Sequence, residues 1–141
     1  MSLQSILLPV FVQVALTFYL MFWMGTVRAR ALRRREVTLD AIALGQPAWP
    51  PYPTQVANAF RNQFELPVLF YVLVVLAIIA RKADFLFVVM SWIFVVFRIV
   101  HAGVHTTTNV VRHRFYAYAV AAIVLLIMWI IFAVRVLAGL G

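Results

Sequence analysis
Twenty-seven residues, Met1 to Val27, pass before the first charged side chain, Arg28. Crossing the ~30 Å hydrocarbon core of a bilayer takes about 20 helical residues, so this opening stretch is long enough to span one. A cleaved secretory leader carries positive charge before its apolar run and a small-residue cleavage site after it. Here the charge follows, as Arg28, Arg30, Arg33, Arg34 and Arg35. The stretch therefore reads as a retained first span with its N-terminus outside the cytoplasm. Three more apolar runs follow, Leu66 to Ala80, Phe85 to Phe97 and Phe115 to Val134. Of the 141 residues 66% are hydrophobic and 11% charged, against roughly 45–50% and about a quarter in soluble domains. A soluble core of this size has no room for so much apolar surface. The expectation is an all-α, integral membrane four-helix transmembrane bundle. It forms a single domain over residues 1–141, with spans near 5–27, 56–80, 85–109 and 115–136.

The connections differ in kind. In the stretch 28–56, Thr38 to Leu44 has the length for one or two helical turns. Gly45, Pro47, Pro50, Pro51 and Pro53 then argue against regular structure, and Thr54 is the expected N-cap of the second span. Pro67 inside that span is expected to kink it, a defect that membrane helices tolerate. Arg81-Lys82-Ala83-Asp84 reads as a short turn. Basic residues favour the cytoplasmic side. Arg28, Arg30, Arg33, Arg34, Arg35, Arg61, Arg112 and Arg114 fall on one side, and Arg81, Lys82 and Arg135 on the other. The first side is expected to be cytoplasmic, with both termini outside. The net charge of +8 then reports orientation and contact with membrane lipids, and no nucleic acid partner is expected. With no cysteine, a thiol nucleophile, thiolate metal ligands and disulfides are excluded.

Two polar stretches interrupt the apolar sequence. In the second span Asn58, Asn62 and Glu65 stand at i, i+4, i+7, beside Arg61. In the third, Arg98, His101, His105 and Asn109 stand at i, i+3, i+7, i+11. Each set shares one helical face. Counted from the cytoplasmic helix ends at 1.5 Å per residue, Glu65 lies ~12 Å deep and Arg98 ~16 Å deep. An unpaired charge at such depth is costly, so a Glu65–Arg98 ion pair is expected. Taken alone, that pair has a structural reading: it fixes helix register. The functional reading is a water-accessible funnel open to the cytoplasm, walled by Arg28, Arg61, Arg98, Arg112 and Arg114, and suited to an anion bearing carboxylates. Arg33, Arg34 and Arg35 read as topology and head-group residues; Arg28 fits either role. His101 and His105, at i, i+4, have spacing that suits metal or haem, but no carboxylate or cysteine accompanies them on that helix. A structural or hydrogen-bonding role, with no metal, is the better reading. Tyr116 and Tyr118 sit where interfacial tyrosines anchor a helix, and Tyr118 follows Arg114 by one turn.

Four motifs in this order resemble the MAPEG family, the membrane-associated proteins in eicosanoid and glutathione metabolism. Gly25-Thr26-Val27-Arg28-Ala29-Arg30 is similar to the family's G-x-V-R-x-R ending of the first span. Arg61-Asn62-x-x-Glu65 is similar to R-N-x-x-E, and Arg98-x-x-His101 to R-x-x-H. Arg114 and Tyr118 fall where the family has an Arg and a Tyr at the start of the fourth span. The resemblance covers nearly the whole chain and is nearest to bacterial members. It implies a homotrimer that binds glutathione between neighbouring subunits near the cytoplasmic side. Arg28 would come from one subunit, and Arg61, Asn62, Glu65, Arg98, His101 and Tyr118 from the next. Arg114 would be catalytic, holding the glutathione sulfur as thiolate, with Arg112 the competing candidate two residues earlier. Phe115 stands where one branch of the family has a serine, so the prostaglandin isomerase reaction of that branch is not expected.

Together these expectations describe a membrane-bound glutathione-dependent transferase or peroxidase in a bacterial inner membrane, acting on a hydrophobic small-molecule electrophile. The alternative is a non-catalytic protein of the same fold that binds a lipid or an anionic metabolite. A haem-binding bundle through His101 or His105 is the weaker third.

Overall fold
The computed structural model describes residues 1–139, which form helices joined by turns, with no strand among them. Helix α1 runs Leu3–Arg33, α2 Leu39–Ile42, α3 Pro51–Arg61, α4 Leu66–Ile79, α5 Phe85–Thr106 and α6 Val111–Leu137. A single 3-10 turn, Asn62–Phe64, separates α3 from α4. With α3 and α4 taken as one interrupted helix, four helices are long and apolar enough to cross a membrane. The all-helical, four-span expectation therefore describes the architecture.

Local chemistry sets the helix ends. Ser2 caps α1 by accepting from the Ser5 N–H. At the far end of α1, Arg35 takes a left-handed conformation (φ 56), and the Glu36 N–H returns to the Ala31 carbonyl at 3.0 Å. The chain thus reverses at that point. Thr38 caps α2, inside the stretch read as one or two turns. The proline-rich segment is more regular than its composition implies. Pro51 and Pro53 occupy the first turn of α3, where a missing N–H costs nothing. Thr54 is consequently not the N-cap. It lies inside α3, and its hydroxyl donates to the Pro50 carbonyl at 2.9 Å.

Pro67 does more than kink its helix. It lacks an N–H, and its ring clashes with the carbonyl four residues earlier, that of Gln63. The helix stops at Arg61, makes the 3-10 turn, passes Glu65 at φ −97, ψ −105, and restarts with Pro67 in the first turn of α4. Asp84 caps α5 by accepting from the Phe87 N–H at 3.0 Å. Its carboxylate also meets Arg135 Nη1 of α6 at 2.7 Å. The third helix is shorter than its polar stripe. It ends at Thr106, and Asn109 sits in the following turn at φ 51.

Helix α5 is the centre of the bundle, packed against α1, α3 and α6. One apolar cluster fills the half of the bundle where α4 and α6 meet α5. There Phe70 stacks on Phe94 at 4.7 Å among Leu73, Val74, Val95, Ala121, Leu125 and Met128. A smaller cluster, Leu20, Ala59 and Ala102, joins α1, α3 and α5. Near the helix break is a polar layer. Gln13 Nε2 donates to Gln63 Oε1 at 2.8 Å, and both side chains are buried. Outward faces of α1, α4 and α6 keep Phe11, Phe22, Val75, Ile79, Ile123 and Leu126 exposed, as expected of helices whose solvent is lipid.

Candidate functional site
The break between α3 and α4 creates the site. In an unbroken helix the Asn62 carbonyl would accept from the residue 66 N–H. Here it accepts from the Glu65 N–H at 3.2 Å and from Arg98 Nη2 of α5, also at 3.2 Å. The same nitrogen donates to Asn62 Oδ1. Arg98 is wholly buried, and a guanidinium at a helix C-terminus meets free carbonyls and the negative end of the helix dipole. The buried cation and the proline of the preceding helix thus belong to one device. Pro67 frees a helix end, and Arg98 occupies it.

The expected Glu65–Arg98 ion pair does not form directly. Asn62 stands between them, its amide oxygen taken by Arg98 and its Nδ2 donating to Glu65 Oε1. Glu65 therefore sits on the exposed side of the break, where water offsets the cost of its charge. The geometric reason is the 3-10 turn. It rotates Glu65 out of the register that a continuous helix gives it, and places the shorter Asn62 against α5.

Along α5 the stripe continues with His101 and His105, both buried, their rings 5.4 Å apart edge to face. Tyr118 of α6 lies 5.7 Å from the His101 ring and 5.9 Å from the Arg98 guanidinium carbon. Neither His101 Nδ1 nor His105 Nδ1 has a hydrogen-bond partner, and neither do Arg98 Nε and Nη1. Among the described residues no three His, Asp or Glu side chains come together as a metal site would need.

These walls enclose an open cleft of about 430 Å³, lined by Asn58, Arg61, Asn62, Glu65, His101, His105, Val111, Arg114, Phe115 and Tyr118. Small-molecule sites fall in the range of roughly 300–1,000 Å³. Arg114 is half-buried at the mouth, and Asn109 holds it, Oδ1 accepting from Arg114 Nη1 at 2.8 Å. Asn109 itself is fixed by its N–H on the Val104 carbonyl at 2.8 Å. Asn tolerates the left-handed conformation better than most residues. So the last residue of the α5 stripe does not extend the helical face; it turns the corner and orients an arginine of α6.

Of the residues singled out in the sequence, the structure gathers Arg61, Asn62, Glu65, His101, Arg114 and Tyr118 around the cleft. Arg98 is behind its wall, touching Asn62 and Tyr118. Arg28 lies outside the lining, its guanidinium 4.8 Å over the Trp49 ring. Arg112 is exposed on α6 and does not line the cleft, which separates it from Arg114. The Gln13–Gln63 bond and the roles of Asn109 and Trp49 were not read from sequence. Gln13 did carry a signal, as the one amide within the first span at residues 5–27.

The donor set suits an anionic ligand bearing carboxylates. Two guanidinium groups, two side-chain amides, two imidazoles and a phenol face the cleft, with one carboxylate able to meet an ammonium group. A family model described as the MAPEG family matches residues 6–134. No curated protein and no solved structure matches the chain.

Proposed function
The chain belongs to the MAPEG family, and on that premise we propose that it is a membrane-bound glutathione-dependent transferase or peroxidase acting on lipophilic electrophiles. The observation that carries this reading is the convergence of Arg61, Asn62, Glu65, His101, Arg114 and Tyr118 on one cleft beside four span-length helices. Glutathione brings two carboxylates, an ammonium group and a thiol. Arg61 and Asn58 suit a carboxylate, Glu65 suits the ammonium, and Arg114 suits the sulfur. A free thiol has pKa ~8.5, and a fixed guanidinium beside it favours the thiolate, the nucleophilic form. The thiolate attacks the electrophilic carbon of the acceptor, a thioether bond forms, and the leaving group departs with the electron pair. In the peroxidase variant, two glutathione molecules reduce a hydroperoxide to alcohol and water and are oxidised to the disulfide. An acceptor dissolved in the bilayer reaches the cleft between helices, past Phe115 and Val111. The reading also takes the chain as a homotrimer in a bacterial inner membrane, both termini outside the cytoplasm, with Arg28 serving a neighbouring subunit's cleft. The extensive exposed apolar helix surface supports both lipid contact and such assembly.

Calorimetry of glutathione binding to detergent-purified protein, with turnover of a lipophilic aryl halide, tests the reading. Saturable binding and turnover are expected. Arg114→Ala is expected to lower turnover on the order of a hundredfold, while Arg112→Ala leaves it unchanged. Absence of binding at millimolar glutathione overturns the assignment of the thiol. Binding with no turnover against several electrophiles and hydroperoxides leaves the protein a non-catalytic binder.

A further inference from the structure
Helix α1 has 31 residues, a length of ~46 Å at 1.5 Å per residue, against a hydrocarbon core of ~30 Å. Its last turns therefore emerge from the apolar layer, and they carry Arg28, Arg30 and Arg33. The chain does not then continue straight on. Arg35 at φ 56 and the Glu36 to Ala31 hydrogen bond turn it back on the helix. Val37, only 8% exposed, packs down at this reversal. From there the connection runs through α2 and returns beside α1, where Trp49 lies over Arg28. The connection 28–50 is thus folded back against the charged end of the first span.

Its surface has two characters at once. Arg30, Arg33, Arg34 and Arg35 are exposed, and none is ion-paired to another described residue. Five arginines stand against two carboxylates, Glu36 and Asp40, in this stretch. Beside them Leu39 and Leu44 are 69% and 88% exposed. Two leucines left bare next to a basic cluster are unfavourable in water, and favourable where acyl chains begin below phosphate groups. Charge complementarity selects the phosphate: a guanidinium donates two parallel hydrogen bonds to it.

We propose that the connection between the first two spans is an interfacial anchor that binds anionic phospholipid head groups through Arg33, Arg34 and Arg35, with Leu39 and Leu44 inserted among the acyl chains. This surface is separate from the cleft and does not depend on glutathione chemistry. Its effect on the cleft would be to fix the path of the connection that leads into α3.

Native mass spectrometry of the purified full chain, offered equal amounts of phosphatidylglycerol and phosphatidylcholine of the same acyl composition, tests it. The wild type is expected to retain phosphatidylglycerol severalfold over phosphatidylcholine. Arg33→Gln/Arg34→Gln/Arg35→Gln is expected to bring the ratio close to one. Arg81→Gln/Lys82→Gln, a charge change at the opposite end of the bundle, is expected to preserve it. Leu39→Ser/Leu44→Ser is expected to lower retention of phosphatidylglycerol without reversing the order. Equal retention of the two lipids by the wild type overturns the proposal. So does an unchanged preference in the triple arginine variant, or a preference that moves with Arg81 and Lys82. All the substituted arginines except Arg81 lie on one exposed surface, so folding of each variant is checked by helical circular dichroism in the same detergent.

Discussion

Arg98 Nη2 bonds both oxygens of Asn62, the backbone carbonyl at 3.2 Å and the side-chain amide. One buried guanidinium thus closes the helix end opened by Pro67 and sets the rotamer of the residue between itself and Glu65. The polar centre of this bundle is a capped break, and the cleft is what the break leaves on its outer side.

Arg98→Ala removes a charged donor from a carbonyl with no other α5 partner. A hydrogen bond to a charged group contributes about 1.5–3 kcal/mol, and a loss of that order is expected in reversible unfolding in detergent. Arg98→Lys retains the charge but has no planar fork for two oxygens, so recovery is expected to be partial. A stability equal to wild type in Arg98→Ala would show that the break holds without its clamp.

Gln13 and Gln63 form a buried amide pair between α1 and the 3-10 turn. Gln63 Nε2 also donates to the Ala59 carbonyl at 3.0 Å. Replacing one partner strands a polar group, at a cost of about 1–3 kcal/mol, whereas replacing both with apolar groups of like shape is nearly neutral. Gln13→Leu is therefore expected to destabilise more than Gln13→Leu/Gln63→Leu. A double-mutant cycle reads the coupling directly, and additive losses would contradict it.

Asn109 has two separable tasks, its left-handed backbone and its bond to Arg114. Asn109→Gly keeps the first and removes the second; Asn109→Ala loses both. The alanine variant is expected to lose about 1–2 kcal/mol more stability than glycine, the strain of a Cβ at positive φ. Both variants are expected to weaken any ligand binding that depends on Arg114, by a similar factor. Equal stability of the two variants would mean that the turn relaxes.

Asp84 predicts a pH dependence at the opposite end of the bundle. Burial opposes ionisation of this carboxyl. The Phe87 N–H and Arg135 outweigh it, and hold the pKa below its ordinary 3.8. A depressed folded-state pKa contributes stability above the unfolded value and loses it as pH falls through the folded value. Thermal unfolding of the wild type is thus expected to be lowered between about pH 5 and pH 2 by more than that of Asp84→Asn. The side chain is 46% exposed, so the difference is small, and it shrinks further in high salt. Parallel pH curves for the two proteins would exclude Asp84 as a contributor.

Four uncharged runs, their lengths and the charges that flank them determine by themselves that this chain is a helical membrane protein. Those features report transfer of each segment between water and lipid, which depends on the segment and little on its neighbours. The helical face of Arg98, His101 and His105 was legible for the same reason, since spacing fixes a face wherever the helix is unbroken. The Asn58, Asn62 and Glu65 face was not, because the helix ends at Arg61. Tertiary structure decided the rest. Pro67 announces a disturbed helix, but whether the chain kinks or stops depends on a partner able to take the freed carbonyls, and Arg98 is 31 positions away in sequence. That arrangement replaced the direct Glu65–Arg98 pair with a bridge through Asn62. It also took Arg98 out of the cleft wall. Asn109 left its helical face because α5 ends three residues earlier, and only the packing of α6 against α5 shows that its amide then orients Arg114 rather than Arg112. Spacing carries information within one helix; which atoms meet between helices depends on where each helix breaks and turns.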